Sequence, residues 1–127
     1  MTYLVTGASG FIGSHCCQIL IKKGYTVKAI IRSEDTFLNH LGVDCFVSDL
    51  WNDKIYESVL DSVNIIIHCA GDASFGDGLH YIKQNTELTN FILKKIENYN
   101  PNLKRFIYIS SIGAVDRKWG DNCKKEL

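Results

Sequence analysis

A glycine-rich run near the amino terminus has the composition and spacing of a phosphate-binding turn. Residues Thr6–Gly13 read TGASGFIG and directly follow the apolar residues Tyr3–Val5. Gly7 permits a tight turn with positive φ. Gly10 leaves room for a pyrophosphate, and Gly13 lets the following helix pack closely on the strand. The unpaired N–H groups and the positive dipole at the start of that helix would attract the anion.

Apolar strand patterns and helical patterns alternate along the rest of the chain. Strands are predicted at residues 2–6, 25–31, 43–47, 64–69 and 104–109. Helices are predicted at residues 11–23, 34–41, 53–62 and 81–99, and a loop rich in Gly and Asp at 72–80. This alternation is typical of a parallel sheet with helices on both faces. The sequence therefore predicts a Rossmann-type, doubly wound, three-layer α/β/α fold with strand order 3-2-1-4-5, with the ligand at the carboxyl ends of strands one and four.

Arg32 directly follows the second predicted strand and indicates the cofactor. An acidic residue here would accept a hydrogen bond from a ribose 2′-hydroxyl, whereas an arginine offers a charged, planar group to a 2′-phosphate. The predicted cofactor is therefore NADP, with Ser9 as a further hydroxyl donor to the phosphate. Because Glu34 and Asp35 come next and would serve the ribose hydroxyls of NAD, NAD is the alternative.

The run TGASGFIGS resembles the opening of the extended short-chain dehydrogenase/reductase family. That family includes NAD-dependent epimerases and dehydratases, dihydroflavonol-reductase-like enzymes and 3β-hydroxysteroid-dehydrogenase-like enzymes. The resemblance covers the whole chain but only the first part of the family's length. It implies that residues 1–127 form the NAD(P)-binding domain of a longer enzyme that acts on a nucleotide sugar or a small carbonyl or hydroxyl compound.

The resemblance also implies roles for residues after strands three and four. It places Asp49 and Leu50 beside the adenine, although a helix cap is an alternative role for Asp49. The segment His68–Gly71 resembles the family motif HxA[AG], in which the small residues leave room for the cofactor. The expected cofactor-binding residues are therefore Gly7, Ser9, Gly10, Phe11, Ile12, Gly13, Arg32, Asp49, Leu50, Ala70 and Gly71.

Two polar residues are expected to support this site rather than react. His68 would stabilise the end of the fourth strand. Asn85 falls where the family has an asparagine that braces the loops after strands four and five, although an exposed helix position explains its polarity nearly as well.

Ser111, at the end of the fifth strand, is the candidate catalytic residue. The resemblance implies that a serine here hydrogen-bonds the substrate oxygen, while the tyrosine of a downstream YxxxK motif transfers the proton. No tyrosine follows Tyr108 in the sequence, so the isolated chain is expected to bind cofactor without turnover. The alternatives are a non-catalytic dinucleotide-binding module that acts as a sensor or interaction domain and, less favoured, an S-adenosylmethionine-binding domain.

Composition excludes several other classes of function. The 127 residues suffice for one domain, and 14 basic residues balance 14 acidic ones, which argues against nucleic-acid or acidic-membrane partners. No apolar run reaches the length of a membrane span, and we expect no signal peptide. Five cysteines without a pairing pattern indicate a reducing cytoplasm, with Cys45 and Cys69 in the core and no metal site. A small-molecule substrate is expected, as is self-association through uncovered apolar surface of residues 81–109.

Overall fold

The computed structural model describes residues 1–72 and 78–111, and within them it has a five-stranded parallel sheet. The strands are β1 Thr2–Thr6, β2 Thr26–Ile31, β3 Asp44–Val47, β4 Ile65–His68 and β5 Arg105–Tyr108. Their order in the sheet is β3-β2-β1-β4-β5. The predicted fold class and strand order are therefore confirmed.

The strand register brings the carboxyl ends of the central strands to one edge of the sheet. Thr6 of β1 pairs with Ile30 of β2 on one side and with His68 of β4 on the other. His68 in turn pairs with Tyr108 of β5. The loops that follow β1, β2, β4 and β5 consequently emerge side by side, where the strand order reverses.

Helices cover both faces of the sheet, because neighbouring strand residues point to opposite sides. Helices α1 (Phe11–Lys22) and α2 (Thr36–Leu41) pack on the face that carries Val5. The other face, which carries Leu4, is covered by α3 (Tyr56–Val59) and by α5 (Leu88–Tyr99). Within residues 1–72 and 78–111, none of these helices is long and apolar enough to cross a bilayer.

The helix predicted at residues 53–62 is shorter and less regular than expected. It consists of a 3₁₀ turn at Asp53–Ile55 followed by α3. The Asn52 side chain accepts a hydrogen bond of 3.2 Å from the Lys54 amide, which satisfies a donor of the tight first turn. At the other end, Ser62 has a φ of 61°, a left-handed conformation in which a right-handed helix cannot continue.

The last described helix begins earlier than predicted and changes its winding. Helix α4 (Gly78–Tyr81) leads into a π-helical segment (Ile82–Glu87), which leads into α5. Residues 78–80, predicted as loop, are thus helical, while residues 73–77 of that loop lie outside the described residues. A π-helical segment inside an α-helix is often found at a functional site.

Cys45 and Cys69 lie at the margin of the core rather than inside it. Both are partly buried and pack against the hydrophobic cluster on the face of the sheet that α1 covers. Within that cluster the side chain of Cys17 is fully buried. All three carry free thiols. Burial raises the pKa of Cys69 to about 11, with a further contribution from the thiol of Cys16 on α1. Cys69 is displaced outward because it follows the last paired residue of β4, where the chain leaves the sheet.

Ile92 and Leu93 provide a matched pair for testing the core beneath α5. Ile92 is fully buried against the sheet, whereas its neighbour Leu93 is 37% exposed. Replacing Ile92 with alanine should lower the free energy of unfolding by about 2–5 kcal/mol, because it leaves a cavity. Leu93→Ala should cost less than about 1 kcal/mol. Urea unfolding of both variants measures the difference, and equal losses would contradict this placement of α5.

Candidate functional site

A cavity of about 620 Å³ opens at the carboxyl edge of the sheet. Its walls come from the loops after β1, β2, β3 and β4 and from the helical stretch that begins at Gly78. The sequence-predicted residues that line it are Gly7, Ser9, Gly10, Arg32, Asp49, Leu50, Ala70 and Gly71. Residues far apart in the sequence are thus gathered around one space large enough for an extended small molecule.

Two glycines of the run allow backbone segments to approach each other closely. Gly7 has a φ of +66°, and a Cβ there would lie 2.7 Å from the amide nitrogen of Ala70. A Cβ on Gly13 would overlap the carbonyl group of Gly7. The loop after β1 therefore fits between the loop after β4 and the first turn of α1, as the sequence predicted for a tight turn.

Gly10 is less tightly enclosed than these two glycines. It is exposed, and its φ of −80° is accessible to any residue. A Cβ there would lie 3.2 Å from the Gly7 carbonyl oxygen, a tight contact that a small adjustment of the turn would have to relieve. Because it has no side chain, Gly10 also leaves the cavity accessible beside the start of α1.

The amino end of α1 presents backbone amides without a capping side chain. Gly10 is the N-cap residue, it makes no side-chain cap, and no acidic residue occupies the first turn. The first amides of a helix have no partner within the helix and carry its positive dipole. Three predicted cofactor-binding residues, Phe11, Ile12 and Gly13, lie outside the lining of the cavity, and Phe11 and Ile12 are 82% and 51% exposed. This end of the cavity is suited to an anion.

Arg32 lies in the cavity wall directly after β2. The two acidic residues that follow it are engaged elsewhere. Asp35 is the N-cap of α2 and accepts a hydrogen bond of 3.1 Å from the Leu38 amide. Glu34 accepts a hydrogen bond of 3.2 Å from the side chain of Asn39. Arg32, but neither Glu34 nor Asp35, therefore belongs to the lining of the cavity.

The loop after β3 is fixed by hydrogen bonds from both sides. Asp49 accepts a hydrogen bond of 2.7 Å from the Trp51 amide, and the Leu50 carbonyl accepts one of 2.5 Å from the Tyr56 hydroxyl. The first of these holds the carboxylate in a turn, while Asn52 rather than Asp49 caps the following 3₁₀ turn. Asp49 and Leu50 are thereby held rigidly in the cavity wall.

His68 connects the loop after β1 to the helix on the opposite side of the cavity. Its fully buried imidazole lies with Nδ1 2.6 Å from the Thr6 hydroxyl and Nε2 3.1 Å from the Thr89 hydroxyl. The Thr89 hydroxyl donates its proton to the Asn85 carbonyl, so it can only accept from the imidazole. His68 therefore carries its proton on Nε2, and Nδ1 accepts from Thr6.

Asn85 holds the loop after β4, in the bracing position that the sequence predicted. Its side-chain oxygen accepts from the Asp72 amide at 2.9 Å, and its side-chain nitrogen donates to the Asp72 carbonyl at 3.1 Å. A Cβ on Gly71 would lie 2.7 Å from that same oxygen, which explains the glycine. Asn85 lies in the π-helical segment, so the irregular winding coincides with the residue that contacts the loop.

Several cavity residues were not predicted from the sequence. Asp72 and His80 line the cavity and form an ion pair of 2.7 Å that joins the end of the β4 loop to α4. Trp51 and Cys69 also line it. Cys69 and Trp51 could have been found from the sequence, because each adjoins a predicted cofactor-binding residue. The contact between Asp72 and His80 could not, because it depends on the tertiary structure.

Ser111 lies at the same edge of the sheet, exposed and three residues beyond the paired Tyr108 of β5. It is the last described residue and lies outside the lining of the cavity. Within the described ranges, no group of three or more His, Cys, Asp or Glu side chains could hold a metal ion.

Residues 3–124 match the model of the NAD dependent epimerase/dehydratase family. The dTDP-D-glucose 4,6-dehydratase of Dictyostelium discoideum is 34% identical, over 85% of this chain and 28% of that protein. The solved UDP-glucose 4-epimerase of Thermotoga maritima is 28% identical with a TM-score of 0.77, over 98% of this chain and 41% of that one. The solved vestitone reductase from alfalfa is 31% identical with a TM-score of 0.72, over 90% of this chain and 37% of that one. The chain thus spans well under half the length of these relatives.

Burial of His68 should make stability depend on pH. Burial lowers its pKa from the ordinary 6.5 to about 4. Between these values the unfolded chain binds a proton that the folded protein does not, so stability is full above pH 6.5 and falls as the pH approaches 4. The loss should be on the order of 3 kcal/mol. Urea unfolding across this range, compared with His68→Gln, measures it, and parallel profiles for the two proteins would contradict the assignment.

Proposed function

The chain belongs to the NAD-dependent epimerase/dehydratase family, and from that premise we propose that the cavity binds NADP, with NAD as the alternative. The members of this family bind NAD or NADP. The observation that carries the proposal is that Gly10, which has no side chain, lines the cavity beside the uncapped start of α1. A dinucleotide's pyrophosphate fits there, because backbone amides and the helix dipole meet it without an intervening side chain.

The choice of NADP over NAD rests on Arg32. Its guanidinium carries a permanent charge, and the residue lines the cavity at the end of β2, where the adenosine ribose of a dinucleotide is expected. Glu34 and Asp35, the residues that would favour NAD, are engaged with α2. Ser9 lies in the same cavity and offers a hydroxyl to the 2′-phosphate.

The reaction of the whole protein is proposed to be hydride transfer to or from a small substrate with a carbonyl or hydroxyl group. The bound nicotinamide supplies the hydride chemistry. Ser111, at the end of β5, would hydrogen-bond the substrate oxygen and hold it in place. The matched relatives include a dehydratase, an epimerase and a reductase, so the proposed substrate class is a nucleotide sugar or another small carbonyl compound.

A non-catalytic dinucleotide-binding module is the second candidate function. The observation in its favour is that Ser111, the candidate catalytic residue, lies outside the lining of the cavity. Free thiols at Cys17, Cys45 and Cys69 suit a cytoplasmic location for either function.

Gly10→Val should abolish dinucleotide binding while leaving the fold largely intact. The valine side chain would occupy the space beside the start of α1, where the backbone conformation is accessible to valine. Its Cβ contact of 3.2 Å with the Gly7 carbonyl oxygen requires only a small adjustment of the turn. Calorimetric titration with NADPH measures binding, and circular dichroism during thermal unfolding checks the fold. Gly10→Ala, with a smaller side chain, should retain part of the affinity. Normal NADPH binding by the folded valine variant would show that the glycine turn serves structure alone.

The chain should bind NADPH roughly tenfold or more tightly than NADH, because charge-assisted hydrogen bonds to the 2′-phosphate contribute about 1.5–3 kcal/mol each. Arg32→Gln should remove this preference. Arg105→Gln is the matched control, since it removes the same charge at the exposed start of β5, on the opposite edge of the sheet. Titration of each protein with NADPH and with NADH measures the ratio of the two affinities. Equal affinities in the unaltered chain would reject NADP as the preferred cofactor.

A further inference from the structure

Trp51 occupies the cavity wall directly after Asp49 and Leu50. It is partly buried, and its ring lies 5.2 Å from that of Phe91 on α5, with an angle of 44° between the ring planes. Phe91 is itself packed edge-on against Tyr56, at 5.8 Å. The Trp51 amide donates to the Asp49 carboxylate. Its backbone and one side of the indole are therefore fixed, while the residue still borders the cavity.

The surface around Trp51 is apolar, unlike the glycine turn. The cavity residues Ile30, Leu50 and Leu88 belong with Trp51 to a single hydrophobic cluster on the α5-covered face of the sheet. Asp49 stands at the margin of this surface. One part of the cavity thus offers backbone amides to an anion, and another offers a rigid apolar wall with a carboxylate beside it.

A purine base matches this second part of the cavity. Its faces are flat and apolar enough to stack on an indole, and its exocyclic amine can donate to a carboxylate at the rim. We propose that Trp51 forms the aromatic wall on which the adenine of the bound dinucleotide stacks, and that it thereby positions the base and contributes to the affinity. This inference rests on the proposed dinucleotide-binding function.

Intrinsic fluorescence provides a direct readout of such stacking. The chain contains two tryptophans, Trp51 and Trp119, and Trp119 lies outside the described residues. In a Trp119→Phe background the emission comes from Trp51 alone. Titration with 2′,5′-ADP, which has the adenine and the 2′-phosphate but no nicotinamide, should then quench this emission saturably. A merely structural role for Trp51 would leave the emission unchanged.

Affinity measurements separate stacking from core packing. Trp51→Leu should weaken binding of 2′,5′-ADP and of NADPH roughly tenfold, since stacking on an aromatic side chain contributes about 1–3 kcal/mol per base. Trp51→Phe should restore most of the affinity, because it keeps an aromatic face. Ile55→Ala is the matched control, since Ile55 packs against the same cluster without lining the cavity. It should lower stability and leave both affinities within about threefold.

The outcomes distinguish this inference from the function on which it rests. If the unaltered chain binds neither NADPH nor 2′,5′-ADP, the proposed dinucleotide site is wrong, and the role of Trp51 falls with it. If both bind but Trp51→Leu keeps full affinity, or 2′,5′-ADP leaves the Trp51 emission unchanged, the dinucleotide site stands and the stacking role is overturned.

Discussion

A single proton on the buried imidazole of His68 orients the hydrogen bonds around the cavity. The Thr6 hydroxyl accepts from the Ala70 amide and donates to Nδ1, while Nε2 donates to Thr89, which donates to the carbonyl of Asn85. If Nδ1 of His68 were protonated, it and the Thr6 hydroxyl would be two donors facing each other, unless the Thr6 hydroxyl turned away. The low pKa of His68, caused by burial, keeps the imidazole neutral and this directional chain intact.

The position of the glycine turn depends on where this series of hydrogen bonds places the end of β4. Because Gly7 packs against the backbone of Ala70, a shift of the β4 loop would move the whole glycine turn and the start of α1. Asn85 adds a second restraint through its two hydrogen bonds to Asp72. The cavity is therefore preorganised by contacts beneath it, and a ligand would meet a wall whose polar groups are already directed.

Local sequence patterns predicted the parts of this arrangement that depend on local chemistry. Runs of apolar residues predicted each strand of the sheet, and the glycine spacing predicted both the turn at Gly7 and the helix after it. The π-helical winding around Asn85 was not predictable, because it accommodates contacts with a loop thirteen residues earlier. The place of Trp51 in the cavity wall was likewise not predictable, since an aromatic residue after a strand is equally consistent with core packing. The spacing of apolar residues predicted a helix over residues 53–62, which is longer than α3. The spacing carries no information about the left-handed φ of Ser62.

The central claim is that the carboxyl edge of the sheet holds an NAD(P) dinucleotide with its pyrophosphate at the start of α1. Amide chemical-shift mapping by NMR during titration with NADPH tests it most directly. The account predicts saturable shifts at the amides of Ser9, Gly10, Arg32, Ala70 and Gly71, which line the cavity, and at the amides of residues 11–13 in the first turn of α1. The amides of Gly24 and Gly42, in the turns that lead into β2 and β3 at the opposite edge, should stay unchanged. Saturable shifts confined to that opposite edge, or none at all, would contradict the account.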